Sequence, residues 1–358
     1  MRKCIRIFDL FLSIICIVFF AFVIVGSANQ AKSVNATLQP PREVYVSGEV
    51  FGIKLYTNGV IVVGTQAFET AEKRVSPAAQ AGIEVGDIIV SINNMYVFSS
   101  DEVSSILNDN NGKPYKIRLK RDGRYKTFVV TPAYSEREGC YKAGMWVRDS
   151  TAGIGTITYF DKKSGAFAAL GHQVNDVDTN DIMPLLSGEA VSAMVTKVQK
   201  SASGVTGSLS CEFEDETVGS LIENSEYGLY GSYSFISENC YPISVASSRE
   251  VKKGAAQILS TVDEGKPQLY DVEITKVSFS KSNEQKDIVF KIKDKSLLEK
   301  TGGIVQGMSG SPIIQDGKLI GAVTHVIVNN PEKGYAVFAE SMLEKSDAVA
   351  KDEKKSDN

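Results

Sequence analysis

Short runs of β-forming residues separated by glycine-rich turns constrain this chain more than any other feature. Between about residue 139 and residue 343 of the 358-residue chain, runs such as Thr-Ile-Thr-Tyr-Phe (156–160) and Ile-Val-Phe-Lys-Ile (288–292) alternate or stay apolar. Turn residues, many of them drawn from the 30 glycines, separate these runs. Many short strands joined in this way are typical of a barrel or a sandwich, so the fold is predicted to be mostly β.

The segment from Val44 to Pro132 shows a second pattern, in which β-like runs enclose two predicted helices. One helix covers residues 76–81, with a serine cap and Pro77 at its first position, where a missing N–H costs nothing. The other covers residues 101–107. Residues 51–55 and 60–63 are predicted to form two separate strands. An α+β unit over residues 44–134 is therefore expected.

The N-terminus has the pattern of a targeting segment. Positive residues (Arg2, Lys3 and Arg6) precede an uncharged, mostly apolar run over residues 10–25. Sixteen residues are fewer than the about 20 that span a bilayer, so a cleaved secretory signal and an uncleaved membrane anchor both stay open over residues 1–28. Residues 29–43, with a Pro-Pro pair, are predicted to form a linker. Either alternative predicts export of the remaining chain.

Composition excludes some classes of function. The net charge is −4, and no basic stripe with interleaved aromatic residues appears, so nucleic-acid binding is not predicted. The five cysteines lack metal-ligand spacing, and no metal or other cofactor is expected. A disulfide between Cys211 and Cys240 stays open, because pairing cannot be deduced from spacing. The charged residues 346–358 are predicted to be a disordered tail.

One serine is placed for nucleophilic chemistry. It lies in Gly-Met-Ser-Gly-Ser-Pro (307–312), on a predicted turn leading into a strand. Glycine gives such a turn its backbone freedom, and the turn can direct the N–H groups of Gly307 and Ser309 at one point beside the serine oxygen. This is the geometry of an oxyanion hole, in which donors stabilise the charge that develops during acyl transfer. Ser309 is therefore a candidate nucleophile.

The chain has only two histidines that could activate this serine. His172 follows a small-residue apolar segment and a glycine, and is predicted to be the general base. His325 lies on the strand after the serine, and the intervening hairpin is predicted to carry it away from Ser309. It is therefore predicted to be structural, or to support the site from behind the reacting residues, and not to be the base. The acid that orients the base stays open among five aspartates: Asp176, Asp178, Asp263, Asp287 and Asp294.

Residues 76–89, Ser-Pro-Ala-Ala-Gln-Ala-Gly-Ile-Glu-Val-Gly-Asp-Ile-Ile, resemble the stretch shared by PDZ domains of bacterial exported proteases. The resemblance implies a PDZ domain over residues 44–134. It also implies that Phe51, Gly52 and Ile53 form the carboxylate-binding loop, followed by the strand of the groove. A PDZ domain takes up an extended peptide ligand by strand addition.

The C-terminal region resembles the SpoIVB peptidase family through Thr-Gly-Gly-Ile-Val-Gln-Gly-Met-Ser-Gly-Ser-Pro-Ile (301–313), Gly-Ala-Val-Thr-His-Val (321–326) and Ala-Leu-Gly-His (169–172). The layout of N-terminal segment, PDZ domain and peptidase agrees. The order of histidine and serine also looks like that of chymotrypsin-type enzymes, which implies two β-barrels over residues 135–345. The resemblance implies Ser309 as nucleophile, His172 as base and Asp294 as the third member of the triad.

The family resemblance further implies a sporulation role. Such a peptidase is exported from the forespore and anchored by its N-terminus, facing the space between forespore and mother cell. It cleaves itself and then a membrane-bound regulator of an intramembrane protease, which triggers processing of a sigma-factor precursor. Two alternatives stay open: an exported PDZ-type quality-control protease, which usually has its PDZ domain after the protease, and a non-catalytic PDZ signalling protein.

Overall fold

A computed structural model describes residues 42–109, 111–279 and 286–356, with side chains described to residue 351. The predicted targeting segment 1–28, and the linker 29–43 up to residue 41, lie outside the described residues. Within the described ranges, no helix combines the length and the apolar character needed to cross a membrane.

Strands dominate the chain, as the sequence predicts. The strands of the first half of the described chain, up to residue 161, are β1 (Glu43–Val46), β2 (Val50–Thr65), β3 (Phe68–Glu69), β4 (Arg74–Val75), β5 (Ile88–Ile92), β6 (Met95–Tyr96), β7 (Tyr115–Arg121), β8 (Arg124–Val130), β9 (Ala133–Ser135), β10 (Cys140–Lys142) and β11 (Met145–Asp161). The later strands are β12 (Ala166–Ala169), β13 (Leu185–Gln199), β14 (Gly207–Ser225), β15 (Gly228–Tyr233), β16 (Tyr241–Val245), β17 (Gly254–Ser260), β18 (Gln268–Val277), β19 (Ile288–Ile292), β20 (Val305–Gln306), β21 (Pro312–Gln315), β22 (Lys318–Val326) and β23 (Lys333–Phe338).

Helices are few and lie at the edges of this β framework. They are α1 (Pro77–Gln80), α2 (Ser100–Asp109), α3 (Lys295–Thr301) and α4 (Ala339–Ser356), with a 3-10 turn at Ser248–Glu250. The two helices predicted in the N-terminal α+β unit are confirmed as α1 and α2.

The N-terminal α+β unit is built on β5, β7 and β8, which pair antiparallel. Val60 and Ile61 of β2 continue this sheet by pairing with Ile89 and Ile88. Apolar residues from the strands and from both helices close the unit's core: Val60, Val62, Ala78, Ile83, Ile89, Ile92, Val97, Val103, Leu107, Tyr115, Ile117, Leu119, Val130 and Ala143.

β2 is one strand of 16 residues, not the two strands that the sequence predicts. Its second half belongs to the α+β unit, whereas its first half pairs with β11 on one edge and β13 on the other. The predicted carboxylate-binding loop is therefore wrong: Phe51, Gly52 and Ile53 lie in the doubly paired half of β2. Phe51 is fully buried, so no free strand edge exists there for a peptide.

The remaining strands surround three apolar clusters, one of which lies between β1, β16, β22 and α4 and includes Val44, Leu319 and Met342. A second lies among β2 and β11–β15 and includes Phe51, Phe160 and Leu221. The third lies among β17–β23 and includes Ile258, Phe290 and Val323. The turn that carries Ser309 joins β20 to β21, and His172 follows β12, so each residue comes from a different part of the sheet system.

Residues 346–356 are helical where a disordered tail over 346–358 is predicted, and residues 357 and 358 lie outside the described residues. Residues 346–356 continue α4, and Ser346, Val349 and Ala350 are buried. Asp347 pairs with Arg42 at 2.6 Å. The high charge suggested a solvated tail, but the apolar residues at helical spacing pack one side of α4 onto the core. The described cysteines, Cys140, Cys211 and Cys240, are free, so a Cys211–Cys240 disulfide is absent.

Candidate active site

The turn that carries Ser309 requires glycine at two positions. Gly307 has φ +103° and Gly310 has φ +96°, a region that favours glycine. A Cβ added to Gly310 would lie 2.0 Å from the carbonyl oxygen of Thr156. The predicted need for glycines on both sides of Ser309 is confirmed, and at Gly310 close packing adds to the backbone requirement.

Backbone hydrogen bonds fix the shape of this turn. Met308 N–H donates to the Val305 carbonyl (3.2 Å), Ser311 N–H to the Met308 carbonyl (3.0 Å), and Gly310 N–H to the Val323 carbonyl (2.7 Å). Among the turn, loop and cap hydrogen bonds of the described ranges, none takes up the N–H of Gly307 or of Ser309. These are the two donors that the sequence assigns to an oxyanion hole, and both are available.

Two buried threonines of β11 tie the turn to the rest of the fold. Thr156 donates its N–H to the Ser309 carbonyl (2.8 Å) and its hydroxyl to the Gly307 carbonyl (2.7 Å). Thr158 donates its hydroxyl to the Gly310 carbonyl (2.7 Å). Both threonine side chains are fully buried. Sequence reasoning missed them, although hydroxyl groups inside an otherwise apolar strand signal buried hydrogen bonds.

The hydroxyl of Ser309 donates to the carbonyl oxygen of Thr324 at 2.8 Å. Thr324 immediately precedes His325 near the end of β22. The ladder between β22 and β23 is irregular between Val323 and Val326, which places this carbonyl outside regular pairing. The candidate nucleophile is thus held by a backbone acceptor near the end of β22, where the ladder is irregular.

His172 lies in a sharp turn after β12. Leu170 and Gly171 both have φ +68°, which reverses the chain just before the histidine. Nδ1 of His172 lies 2.7 Å from the carbonyl oxygen of Gln173, and since a carbonyl can only accept, Nδ1 carries the proton. Nε2 is therefore the unprotonated nitrogen. Burial lowers the pKa of His172, and the hydrogen bond to Gln173 opposes this effect only in part. The lowered pKa favours the neutral ring, in which Nε2 can accept a proton.

The two histidine rings lie against each other. Their centroids are 4.8 Å apart and their planes are inclined by 36°. Desolvation lowers the pKa of His325, and the nearby His172 and Lys286 act in the same direction. His325 is thus a neutral ring packed on the candidate base, and the prediction that the hairpin carries it away from Ser309 is wrong, because it shares a cleft with Ser309.

This cleft, called here the Ser309 cleft, brings the candidate nucleophile and base together. It is a cavity of about 790 Å³ whose lining includes Ser309, His172, His325 and Gly307. Its volume is typical of a substrate-binding site. Two of the three residues assigned to the triad from the sequence therefore meet here.

Asp294, the third residue assigned from the family resemblance, is not brought to this cleft. It is the N-cap of α3, where its carboxylate accepts from Leu297 N–H (3.0 Å) and from the Ser296 hydroxyl (2.7 Å). Burial acts to raise its pKa, but these hydrogen bonds hold the pKa of Asp294 below its usual value. Among the described residues, no hydrogen bond joins Asp294 to either histidine.

The other candidate acids are also engaged elsewhere. Asp176 and Asp178 pair with Arg148, Asp263 pairs with Lys300, and Asp287 accepts from Phe338 N–H. Burial raises the pKa of Asp287. In the described part of the chain, the group that orients His172 is therefore a backbone carbonyl, that of Gln173. No cluster of three or more metal-ligating side chains occurs in that part either.

A second cavity, of about 400 Å³, lies in the α+β unit between α2 and the start of β11. Its lining includes Val103 and Leu107 of α2, Met145 and Val147 of β11, and Gly144 in the loop before β11. Residues 145–148 pair with β2 on one edge, and no described strand pairs with their other edge. This groove therefore has the free strand edge and helix that the first half of β2 lacks.

Two family models match the chain. The model of the SpoIVB peptidase S55 family matches residues 139–343, and a PDZ-domain model matches residues 70–121. The first match contains His172, Asp294 and Ser309, and the second contains α1 and α2. Residues 44–69, predicted as the start of the PDZ domain, lie outside the second match.

Sequence relatives cover smaller parts of the chain. A protein of Clostridium acetobutylicum named as a zinc metalloprotease is 39% identical over 70 residues, which is 20% of this chain and 21% of that protein. A Lactococcus lactis protein of the same name is 27% identical over 127 residues, 36% of this chain and 28% of that protein. The chain therefore spans only about a fifth to a quarter of the length of these relatives.

Two solved structures show partial likeness. The PDZ domain of an SdrC-like protein from Listeria monocytogenes is 21% identical, with TM-score 0.21, covering 25% of this chain and 87% of that one. The Ser343Ala mutant of Rv3671c from M. tuberculosis is 13% identical, with TM-score 0.30, covering 55% of this chain and 82% of that one.

Proposed function

Because the chain belongs to the SpoIVB peptidase S55 family and is a serine peptidase, we propose that Ser309 is its nucleophile and His172 its general base. One observation carries this assignment. Ser309 and His172 line the same cleft, beside two N–H groups, of Gly307 and Ser309, that the turn leaves available.

Catalysis begins when the Ser309 hydroxyl changes its hydrogen-bond partner. Its hydroxyl leaves the Thr324 carbonyl and turns to Nε2 of His172, which takes the proton as the oxygen attacks the scissile carbonyl. The Gly307 and Ser309 N–H groups stabilise the oxyanion. His172 then protonates the leaving amine, and water releases the acyl group from Ser309.

The Gln173 carbonyl takes part of the role that a carboxylate has in other serine peptidases. It accepts the Nδ1 proton of His172 and so fixes the tautomer in which Nε2 is the base. A carbonyl has no full charge, so it stabilises the imidazolium less than a carboxylate does. The site is accordingly a Ser–His pair with a backbone orienting group.

Peptide hydrolysis by the purified chain tests this proposal. Wild type, Ser309→Ala and His172→Ala are incubated with a denatured protein substrate, and the products are mapped by mass spectrometry. Either substitution is expected to lower kcat by on the order of 10⁴-fold or more. Cleavage that persists unchanged in Ser309→Ala would overturn the assignment of Ser309 as nucleophile. Absence of cleavage by the wild type would favour the non-catalytic alternative.

The sporulation family also supports a signalling role, in which the exported enzyme cleaves itself and a membrane-bound regulator. The positive and apolar pattern of residues 1–28 supports export. N-terminal sequencing of the accumulated protein checks self-cleavage, since a new N-terminus should appear in wild type and not in Ser309→Ala. Degradation of many unrelated unfolded proteins would instead favour the quality-control alternative.

We also propose that the groove between α2 and β11 binds the PDZ peptide ligand. Its free strand edge at residues 145–148 supports strand addition, and Val103 and Leu107 offer apolar contacts.

A pair of substitutions on α2 tests this proposal. Ser104→Trp would fill the groove from an exposed position on α2, whereas Asp101→Trp adds the same ring outside the groove's lining. In a Ser309→Ala background, only Ser104→Trp should weaken capture of a peptide selected from a display library.

A further inference from the structure

The Ser309 cleft carries no formal charge. Among the described residues, its lining contains no aspartate, glutamate, lysine or arginine. Aliphatic and aromatic side chains form most of the wall, including Ile154, Leu209, Ile304, Val305 and Phe213. A peptide side chain that enters this cleft therefore meets apolar carbon and a few neutral polar groups.

The wall beside the nucleophile is apolar. Ile304 and Val305 immediately precede the Ser309 turn and are almost fully buried. Val326 and Val328 follow the Thr324 carbonyl on the other side. Lys286, whose charge acts on His325, lies over the Tyr335 ring at 5.4 Å and is not part of the lining. Asp176 and Asp178, which flank the lining residue Val177, pair with Arg148 and are not part of the lining either.

The cleft also offers backbone groups to an extended chain. Residues 150–156 of β11 pair with β2 in regular register, and Thr156 donates its N–H on the opposite side, to Ser309. Backbone groups alternate along a strand, so those of Ile154 and Ala152 face the same side as that N–H. Both residues line the cleft, where a peptide can add as a further strand.

From these observations we infer that the Ser309 cleft takes an extended peptide segment whose residues at the scissile bond are uncharged and mainly apolar. A buried charge without a partner is strongly disfavoured, whereas an apolar side chain gains from leaving water. This inference deepens the proposed peptidase function and rests on it. It names the class of substrate, namely extended apolar peptide segments.

Internally quenched peptides that differ only at the residue before the scissile bond test the inference. We expect kcat/KM for a leucine peptide to exceed that for the lysine or glutamate peptide by about 10²-fold. Equal or faster cleavage of a charged peptide would overturn it. A fluorophosphonate probe is used in parallel: labelling of Ser309 shows that the peptidase function stands, and absence of labelling shows that this function has failed.

A charge introduced at the rim provides a second test. Val328 is 46% exposed and lines the cleft, so Val328→Glu should fold and should raise the kcat/KM ratio of the lysine peptide to the leucine peptide by about 10-fold. Val129→Glu is the matched control, because Val129 is 59% exposed and lies on β8, outside the cleft. An unchanged ratio in Val328→Glu would contradict the inference.

Discussion

The hydroxyl of Thr156 donates to the carbonyl oxygen of Gly307 at 2.7 Å, which links a buried side chain of β11 to the residue that is proposed to provide an oxyanion donor. The backbone N–H of the same threonine holds the Ser309 carbonyl at 2.8 Å. One residue thus fixes the turn on both sides of Met308. The position of the two proposed oxyanion donors therefore depends on a side chain that is not part of the Ser309 cleft lining.

Thr156→Val should lower kcat by roughly 10- to 100-fold with little change in KM, because a buried carbonyl loses its partner and the donors shift. Thr156→Ser restores the hydroxyl and should recover most of the activity. Thr158→Val is the control, since Thr158 is equally buried but holds Gly310 instead. If both valine variants lose kcat equally at equal stability, Thr156 has no special role in positioning the donors.

Asp294 provides a test of the orienting group. Asparagine caps helices about as well as aspartate, so Asp294→Asn should leave kcat within a few-fold of wild type, whereas Asp294→Ala should cost about 1 kcal/mol of stability. The measurements are steady-state kinetics and urea unfolding. A loss on the order of 10⁴-fold in kcat for Asp294→Asn, with stability kept, would instead show that Asp294 is the acid of a triad.

The pH dependence follows from the lowered pKa of His172. The base is active when neutral, so kcat/KM should rise with pH, with a midpoint below the ordinary histidine value of 6.5, and should level off above it. Activity is measured between pH 4.5 and 8 (roughly the range over which histidines titrate), with fluorescence confirming the fold at each pH. A midpoint above 6.5 would show that a negative charge stabilises the imidazolium and would contradict a carbonyl as its orienting group.

Gly310 should tolerate no side chain. Gly310→Ala places a Cβ against the Thr156 carbonyl and the Leu170 N–H, at φ +96°, so a loss of about 3 kcal/mol or more in the free energy of unfolding is expected. Gly317→Ala is the control, because Gly317 has φ +73° with nothing within 4 Å of its added Cβ. That variant should lose only about 1 kcal/mol, the cost of the backbone conformation alone. Similar losses in both would mean that packing at Gly310 contributes nothing.

The serine turn could be predicted from the sequence because its requirements are local. Glycines at positive φ and a following strand are short-range features, and the structure contains both. The continuity of β2 as one strand and the position of His325 beside Ser309 could not be predicted, because both depend on tertiary pairing. Tyr-Thr-Asn-Gly (56–59) has the composition of a turn, yet the fully buried Thr57 donates to the Asp149 carbonyl at 3.0 Å and the strand continues through it.

The group that orients His172 could not be predicted from the sequence either. Every residue has a backbone carbonyl, so no residue type marks the role that the Gln173 carbonyl has here. Asp294 was placed in the triad by resemblance, and a helix cap and a catalytic acid use the same residue type. Only the positions of Leu297 N–H and the Ser296 hydroxyl distinguish the two roles.

Trapping the acyl-enzyme tests the central claim most directly. The purified chain is mixed with a slowly deacylating p-nitrophenyl ester, and the modified residue is identified by peptide mass mapping. We expect one acyl group per chain, on Ser309, with acylation absent in Ser309→Ala and strongly slowed in His172→Ala. Acylation of a different residue, or an undiminished burst in Ser309→Ala, would contradict the assignment of Ser309 as nucleophile.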